Sequence, residues 1–122
     1  MRSDAGVENW IAGLNQEDRL VICPIVRGEI LFGVSRLPLG RRRTELERTA
    51  GRFLALFRCE PIPPQAADIY AAVKLARIQG GLGLDENDLW IAATALALGA
   101  TLVSRDSGFS GIENLSLVSP GV

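Results

Sequence analysis

The stretch NDLWIAATALALGATLVSRD, residues 87–106, decides the fold class of this chain. Residues 87–98 are rich in alanine and leucine, which favour a helix, and Gly99 follows where a helix commonly ends. Residues 101–104 then form a short apolar run, which indicates a buried strand. A helix that leads directly into a strand is typical of α/β proteins. Each end of the stretch carries an aspartate, although almost everything between them is apolar or small.

The composition excludes several classes of protein and of site. Of 122 residues, 48% are apolar and 22% are charged, which suits a single globular domain over residues 1–122. No apolar run reaches the roughly 18 residues that cross a bilayer, and we see no signal peptide, so a cytoplasmic protein without a membrane partner is predicted. The chain has no histidine, which excludes Ser-His-Asp and Cys-His catalysis and histidine-bound zinc. Cys23 and Cys59 are interpreted as reduced, buried thiols.

Hydrophobic periodicity and turn residues predict helices that alternate with strands. The predicted helices are residues 7–14, 25–36, 41–57, 64–79 and 87–98. The predicted strands are residues 20–23, 101–104 and 115–118, with an edge strand at 59–63 and a loop at 105–114. This order predicts an α/β domain with a mostly parallel sheet.

Three acids are expected at one edge of that sheet. Asp106 follows a strand, Asp88 lies in the first turn of a helix, and Glu29 lies early in the helix after the first strand. Ligand sites gather at the carboxyl ends of parallel strands. Converging carboxylates repel one another unless their pKa values rise or a cation lies among them, and oxygen ligands favour Mg²⁺ or Mn²⁺. Such an ion would activate water and stabilise a departing phosphate oxygen.

Each acid also has a structural interpretation, which stays open from the residues alone. Asp88 would cap its helix or complement the helix dipole, and Asp106 would bond its own backbone in a turn. Glu29 would be a solvated glutamate in the first turn of its helix. Glu86 is interpreted as solvated surface that lies close enough to the site to tune it.

The net charge of −1 argues against nucleic-acid binding through bulk electrostatics. Two basic features remain. Residues 41–43, three consecutive arginines, are either a solvated surface or a contact for an RNA backbone or an acidic partner. Arg105, beside Asp106, is placed to meet a phosphate. The aromatic residues are interpreted as core or interface, not as a stacking platform for bases.

Three stretches, in chain order, resemble motifs of the PIN-domain ribonucleases, and within them of the toxins of VapBC-type toxin–antitoxin pairs. Residues 21–34, VICPIVRGEILFGV, resemble the family's strand, turn and helix bearing E-L-x-x-G. Residues 87–93, NDLWIAA, resemble its D-x-x-I-A-A, and residues 101–109, TLVSRDSGF, resemble its T-R-D/N-x-x-x-F region. With the intervening helices, the resemblance covers nearly the whole chain.

The resemblance implies a PIN-like, three-layer α/β/α domain with a mostly parallel sheet. By position, Glu29, Asp88 and Asp106 would be the catalytic acids and would bind one or two Mg²⁺ or Mn²⁺ ions. The implied reaction is metal-dependent hydrolysis of RNA phosphodiesters. The implied partners are a second copy of the chain and an antitoxin that covers or enters the active site. Supporting groups would be Asn87, Ser104 and Arg105.

The N-terminus departs from the family pattern. Members of this family open with a hydrophobic strand ending in D-T-N or D-T-S, whose aspartate is a metal ligand. Nothing apolar precedes Asp4, so we do not assign that role to it. The central N-terminal strand is therefore predicted to be missing, so that strand 20–23 would lose a central neighbour and keep unpaired backbone groups. Two explanations stay open: a natural start further upstream, or an N-terminally truncated relative with weak or no nuclease activity.

Three functions remain open from the sequence. The first is a Mg²⁺-dependent endoribonuclease toxin of a VapBC-type pair. The second is a truncated, catalytically weak or inactive PIN-like domain that dimerises and binds an antitoxin. The third, a nucleotide-binding α/β domain, is disfavoured because the glycines of residues 80–83 follow a helix, where a dinucleotide fingerprint needs a strand.

Overall fold

The computed structural model describes residues 20–104 and 106–118. The chain divides into two compact units, Met1–Pro61 and Ile62–Val122. The predicted helix 7–14, the position of Asp4 and the predicted absence of an N-terminal strand all lie outside the described residues. The prediction of one domain over residues 1–122 stays a prediction.

The first unit pairs two short parallel strands across a helical connection. In chain order its elements are β1 (Val21–Ile22), α1 (Pro24–Ser35), α2 (Arg41–Leu54) and β2 (Arg58–Cys59). Val21 lies opposite Arg58 and Ile22 opposite Cys59. Parallel strands need a long crossover, which α1 and α2 supply here. Among residues 20–61, the side chains that form the core of this unit are Ile22, Val34, Ala50 and Leu54.

Several element boundaries in this unit differ from the predicted ones. Helix α1 begins at Pro24, because a proline at the first helical position loses no intrahelical hydrogen bond. Helix α2 ends at Leu54 and not at residue 57. The amides of Leu56 and Phe57 donate to carbonyls three residues back, which tightens the chain into a turn before β2. The predicted edge strand 59–63 is shorter and shifted to Arg58–Cys59, since prolines follow directly.

The three arginines at residues 41–43 form the first turn of α2. Arg41 pairs with Glu45 at 3.3 Å, and Arg43 pairs with Glu47 at 3.1 Å, each four residues along the helix. Such pairs stabilise a helix by only about 0.2–0.5 kcal/mol. Two of the three arginines are thus engaged with glutamates of their own helix.

The second unit contains an alanine-rich helix and a second pair of parallel strands. Its elements are α3 (Gln65–Gln79), α4 (Glu86–Leu98), β3 (Leu102–Val103), a 3₁₀ turn (Ser107–Phe109) and β4 (Leu117–Val118). Leu102 lies opposite Leu117 in parallel register. Helix α3 packs against α4. The small side chains of α4 permit this close approach, and its buried residues are Leu89, Ile91, Ala92, Ala93, Thr94 and Ala95.

Thr94 is the only polar residue among these buried side chains of α4, and its hydroxyl has a hydrogen-bond partner within the same helix. Thr94 is 1% exposed, and its hydroxyl donates to the Trp90 carbonyl at 2.7 Å. A buried hydroxyl without a partner would be costly. The predicted α/β class, with parallel strands joined through helices, is confirmed. No helix within the described residues is long and apolar enough to cross a membrane.

Gly99 ends α4 in the left-handed conformation, with φ 63° and ψ 30°. We expect Gly99→Ala to lower the free energy of unfolding by about 1–2 kcal/mol, because a side chain disfavours this conformation. A Cβ at Gly99 meets no atom within 4 Å, so the effect is conformational and not steric. Urea denaturation measures it. Gly51→Ala, inside α2 and equally unobstructed, is the matched control and should stabilise by about 0.5–1 kcal/mol. Equal effects of the two changes would contradict the interpretation.

Candidate active site

Asp88 lies in the first turn of α4, as predicted, and is half-buried. The residue at the N-cap is Asp85, whose carbonyl accepts from the Leu89 amide at 2.9 Å. Asp88 is therefore not the cap of its helix, whereas its position near the positive end of the helix dipole favours a charged carboxylate. The neighbouring Asn87 is exposed in the same turn.

Asp106 lies three residues after the end of β3 and is exposed. Its amide donates to the Ser104 hydroxyl at 3.0 Å, and its Oδ1 accepts from the Gly108 amide at 2.8 Å. Asp106 thus does bond its own backbone in a turn, as the structural interpretation expected. That bond orients the carboxylate and still leaves acceptor positions for a ligand, because the two carboxylate oxygens offer about four acceptor positions. Ser104 supports the turn, and Arg105 lies outside the described residues.

Glu29 lies in α1, in the first unit, and is exposed. Contrary to the prediction, it does not lie in the first turn of its helix, because α1 begins at Pro24. Asp88 and Asp106 belong to the second unit. Within residues 20–104 and 106–118, no three Asp, Glu or Cys side chains are grouped so that they could hold a metal ion. The three-acid metal site therefore stays a prediction.

A polar and aromatic cluster joins α3 to the start of α4. The rings of Tyr70 and Trp90 stack with centroids 4.1 Å apart at 8°. The Tyr70 hydroxyl donates to Glu86 Oε1, and Lys74 Nζ donates to the same oxygen at 3.0 Å. Glu86 is exposed, as predicted, but it is also held by two side chains of α3. The cluster fixes the turn that carries Asp88.

These hydrogen bonds shift two pKa values in opposite directions. Bonds from Tyr70 and then Lys74 lower the pKa of Glu86 below 4.5, and bonds to Tyr70 and then Glu86 raise the pKa of Lys74 above 10.5. The Glu86 contribution to stability is present above its unfolded pKa and is lost as the pH falls through the lowered value. The Lys74 contribution is present below its unfolded pKa and is lost as the pH rises through the raised value. The cluster therefore persists across neutral pH.

Arg77 of α3 reaches the turn that carries Asp106. Its Nη2 donates to the Gly83 carbonyl at 3.1 Å and to the Gly108 carbonyl at 3.2 Å. Its Nε and Nη1 are enclosed and have no hydrogen-bond partner in the described part of the chain. From the sequence, Tyr70 is interpreted only as core or interface, and Lys74 and Arg77 are not singled out. Their spacing of four and three residues on an otherwise alanine-rich helix is a signal that could have identified them.

The two cysteines are free, as predicted, but the prediction that both are buried is wrong. Cys23 is half-buried and Cys59 is exposed. Cys59 ends a strand of two residues whose residues are both exposed. A strand of only two residues at this position does not bury its own side chains, so the Cys59 thiol stays exposed.

Comparison with known proteins identifies the family. The chain matches the PIN domain over residues 2–115. It is 29% identical over 120 residues to the plasmid stability protein StbB of Pseudomonas syringae pv. tomato, a match covering 96% of this chain and 86% of that protein. It is also 29% identical to the VapC ribonuclease Y4jK of Sinorhizobium fredii, covering 96% and 85% respectively.

A solved structure agrees with these sequence matches. The structure of VapBC2 from Rickettsia felis, bound to a DNA fragment from its promoter, superposes with a TM-score of 0.82 and 27% identity. That match covers 92% of this chain and 83% of the other. The resemblance to VapC-type proteins that the three sequence motifs predicted is confirmed. The chain belongs to the PIN-domain family.

Proposed function

We propose that this protein is a Mg²⁺-dependent endoribonuclease that acts as the toxin of a VapBC-type toxin–antitoxin pair. One structural observation supports it most: Asp88 lies in the first turn of α4, and Asp106 lies in the turn that follows β3. The two predicted site aspartates of the second unit thus lie near element ends, where parallel α/β folds gather ligands. Membership in the PIN-domain family and the similarity to a VapC ribonuclease support the same reaction.

The chemistry of the available donors fits a hard divalent cation. The candidate ligands are the carboxylates of Glu29, Asp88 and Asp106, and oxygen ligands suit Mg²⁺ or Mn²⁺. When bound, the ion would lower the pKa of water and offset negative charge at the phosphate. Asn87 and Ser104 are proposed to support the two aspartates, and Arg105 is proposed to meet a phosphate.

The chain's own residues would contribute orientation. The bond from the Gly108 amide and the contact with Ser104 hold Asp106 in one direction after β3. The first turn of α4 directs its positive dipole end toward the Asp88 carboxylate and toward any phosphate nearby. Ligands held in this way need little reorganisation when substrate binds.

Cleavage of RNA by the purified chain tests the proposal. RNA is incubated with Mg²⁺, with Mn²⁺ or with EDTA, and the products are separated on a denaturing gel. We expect internal cleavage with either metal ion and none with EDTA. Cleavage that persists in EDTA would contradict a metal-dependent reaction, and an absence of cleavage at every Mn²⁺ concentration would favour a binding function alone.

Antitoxin binding is the second function that we propose, with or without catalysis. A cleft of about 390 Å³ lies between α1 and α2. Apolar side chains, including Leu31, Val34 and Leu54, line it together with the charged Arg27 and Glu47. An amphipathic helix docks in such a groove through its apolar face. The similarity to VapBC2 of Rickettsia felis supports an antitoxin partner.

Leu31→Glu should weaken binding of the cognate antitoxin about tenfold or more, because it buries a charge in the apolar part of the cleft. Isothermal titration calorimetry measures the dissociation constant. Leu56→Glu is the matched control. Leu56 belongs to the same unit but does not line the cleft, and its exposed fraction of 50% is close to the 43% of Leu31. Equal weakening by both changes would exclude the cleft as the docking site.

We also propose that the protein forms a homodimer. Leu75 and Ile78 lie on α3 and are 56% and 64% exposed, which supports an apolar contact surface on this helix. Sedimentation equilibrium of the purified chain decides between one and two copies. A monomer at all concentrations would exclude the dimer.

A further inference from the structure

We propose that Arg77 is a positioning residue for Asp106, and that helix α3 fixes both acid-bearing segments of the second unit. This inference rests on the proposed metal-dependent function. Hydrogen bonds run from Arg77 Nη2 to the Gly108 carbonyl at 3.2 Å and from the Gly108 amide to Asp106 Oδ1 at 2.8 Å. Gly108 is thus bonded to the Arg77 guanidinium through its carbonyl and to the Asp106 carboxylate through its amide, so the arginine helps to fix where the carboxylate lies.

Arg77 also holds the segment that leads into α4. The same Nη2 donates to the Gly83 carbonyl at 3.1 Å, two residues before the N-cap Asp85. A guanidinium between two carbonyls ties the approach to α4 to the turn after β3. The contact with Gly108 spans 31 residues of sequence, so it is a tertiary link and not a local turn bond.

The burial of this arginine favours a role beyond packing. Nε and Nη1 are enclosed without hydrogen-bond partners in the described residues. Enclosed donors without partners are destabilising, and an apolar side chain of similar length would avoid the penalty. A buried group without a partner in a native protein calls for an explanation, and a role in positioning a functional segment is one such explanation.

The same face of α3 fixes the second acid-bearing segment. Tyr70 and Lys74, seven and three residues before Arg77, both bond Glu86. Glu86 opens α4, two residues before Asp88. Helix α3 therefore contacts both segments, one through Glu86 and the other through Gly108.

Metal ligands need such support, because a functional site has to be held within roughly 0.5 Å of its productive geometry. Loss of groups that orient the ligands typically lowers metal affinity or activity by about 10–100-fold. If Arg77 orients Asp106, its removal should weaken metal binding far more than it weakens the fold. A side chain that only packs would change stability and leave the affinity of the folded protein unaltered.

The test measures Mn²⁺ binding by the whole chain in the absence of RNA, with isothermal titration calorimetry and electron paramagnetic resonance. We expect Arg77→Met to raise the Mn²⁺ dissociation constant about 10–100-fold. Arg77→Lys, which restores one donor and the charge, should recover part of the affinity. Amide exchange at Gly108 should accelerate in Arg77→Met, since the turn loses its anchor.

Gly108→Ala is a second variant that alters the same turn without changing Arg77, and it tests the proposal if Arg77→Met does not fold. A Cβ on Gly108 would lie 3.1 Å from Asp106 Oδ1 and 3.5 Å from Leu84 Cδ1. Gly108→Ala should therefore displace the carboxylate and raise the Mn²⁺ dissociation constant. Gly99→Ala is the control, because it destabilises the same unit at the far end of α4 and should leave the constant unchanged.

The outcomes separate the two proposals. A parent protein that binds Mn²⁺, with an unchanged constant in Arg77→Met or Gly108→Ala, would overturn the positioning role alone. A parent protein that binds no Mn²⁺ would overturn the proposed function and the positioning role with it. If Gly99→Ala weakens Mn²⁺ binding as much as Arg77→Met does, the effect comes from lost stability, and this would also overturn the positioning role.

Discussion

Asp106→Asn is expected to abolish Mg²⁺-dependent RNA cleavage while leaving the fold intact. The asparagine carbonyl can still accept the hydrogen bond that the Gly108 amide gives to Asp106 Oδ1 at 2.8 Å. The change removes only the negative charge, which a divalent cation requires of its ligand. Removal of a group that only orients a metal ligand lowers metal affinity or activity by roughly 10–100-fold. Removal of the ligand itself should lower the cleavage rate by more than that. Initial cleavage rates, with circular dichroism as the check on folding, measure the effect.

Asp88→Asn should have the same effect, and the chain offers a matched control for it. Asp68 is also an aspartate in the first turn of a helix, α3, and is exposed. Asp68→Asn removes an equal charge from an equivalent helical position, so it should leave cleavage unchanged. If Asp88→Asn cuts RNA as fast as Asp68→Asn does, the assignment of Asp88 to the site is wrong.

The α/β class could be predicted because local signals agree with the tertiary packing. In the stretch 87–106, alanine content, the glycine at position 99 and the apolar run after it all indicate the same helix and strand. Observed bounds of Glu86–Leu98 and Leu102–Val103 differ little from the predicted ones. The end of α2 was missed, because residues 55–57 continue the helical spacing while the chain already turns toward β2.

The support around the candidate site was not predictable in the same way. Asp88 and Asp106 follow from position relative to elements, which the sequence indicates. The link from Arg77 to the Gly108 carbonyl joins residues 31 apart and depends on how α3 lies against α4. Likewise, Glu86 finds its partners Tyr70 and Lys74 on another helix. A single sequence shows the spacing on α3 but not what that face contacts.

Helix α4 connects stability to the candidate site, because its first turn carries Asp88 and its middle is buried. Ala92 and Ala93 are 0% exposed, so the close packing around them leaves no space for larger side chains there. An alanine surface gives close contact but little apolar area for each residue. The larger buried side chains of this helix, Leu89 and Ile91, therefore supply much of the hydrophobic stabilisation.

Leu89→Ala is accordingly expected to lower the free energy of unfolding by about 2–5 kcal/mol. Leu89 is 3% exposed, and its removal leaves a cavity beside residues that are too tightly packed to collapse into it. Domains of this size have a total stability of only about 5–15 kcal/mol, so the variant should be partly unfolded at elevated temperature. Urea denaturation, followed by the fluorescence of Trp90 and Trp10, measures the change.

Leu39→Ala is the control for this substitution, because it removes the same atoms from a side chain that is 87% exposed. A change of less than about 0.5 kcal/mol is expected there. Leu89 directly follows Asp88, so the folded fraction of Leu89→Ala should also bind Mn²⁺ more weakly if the first turn of α4 shifts into the cavity. Equal stability losses in the two leucine variants would show that α4 is not the packed centre of its unit, and the argument that ties the buried helix to Asp88 would fail.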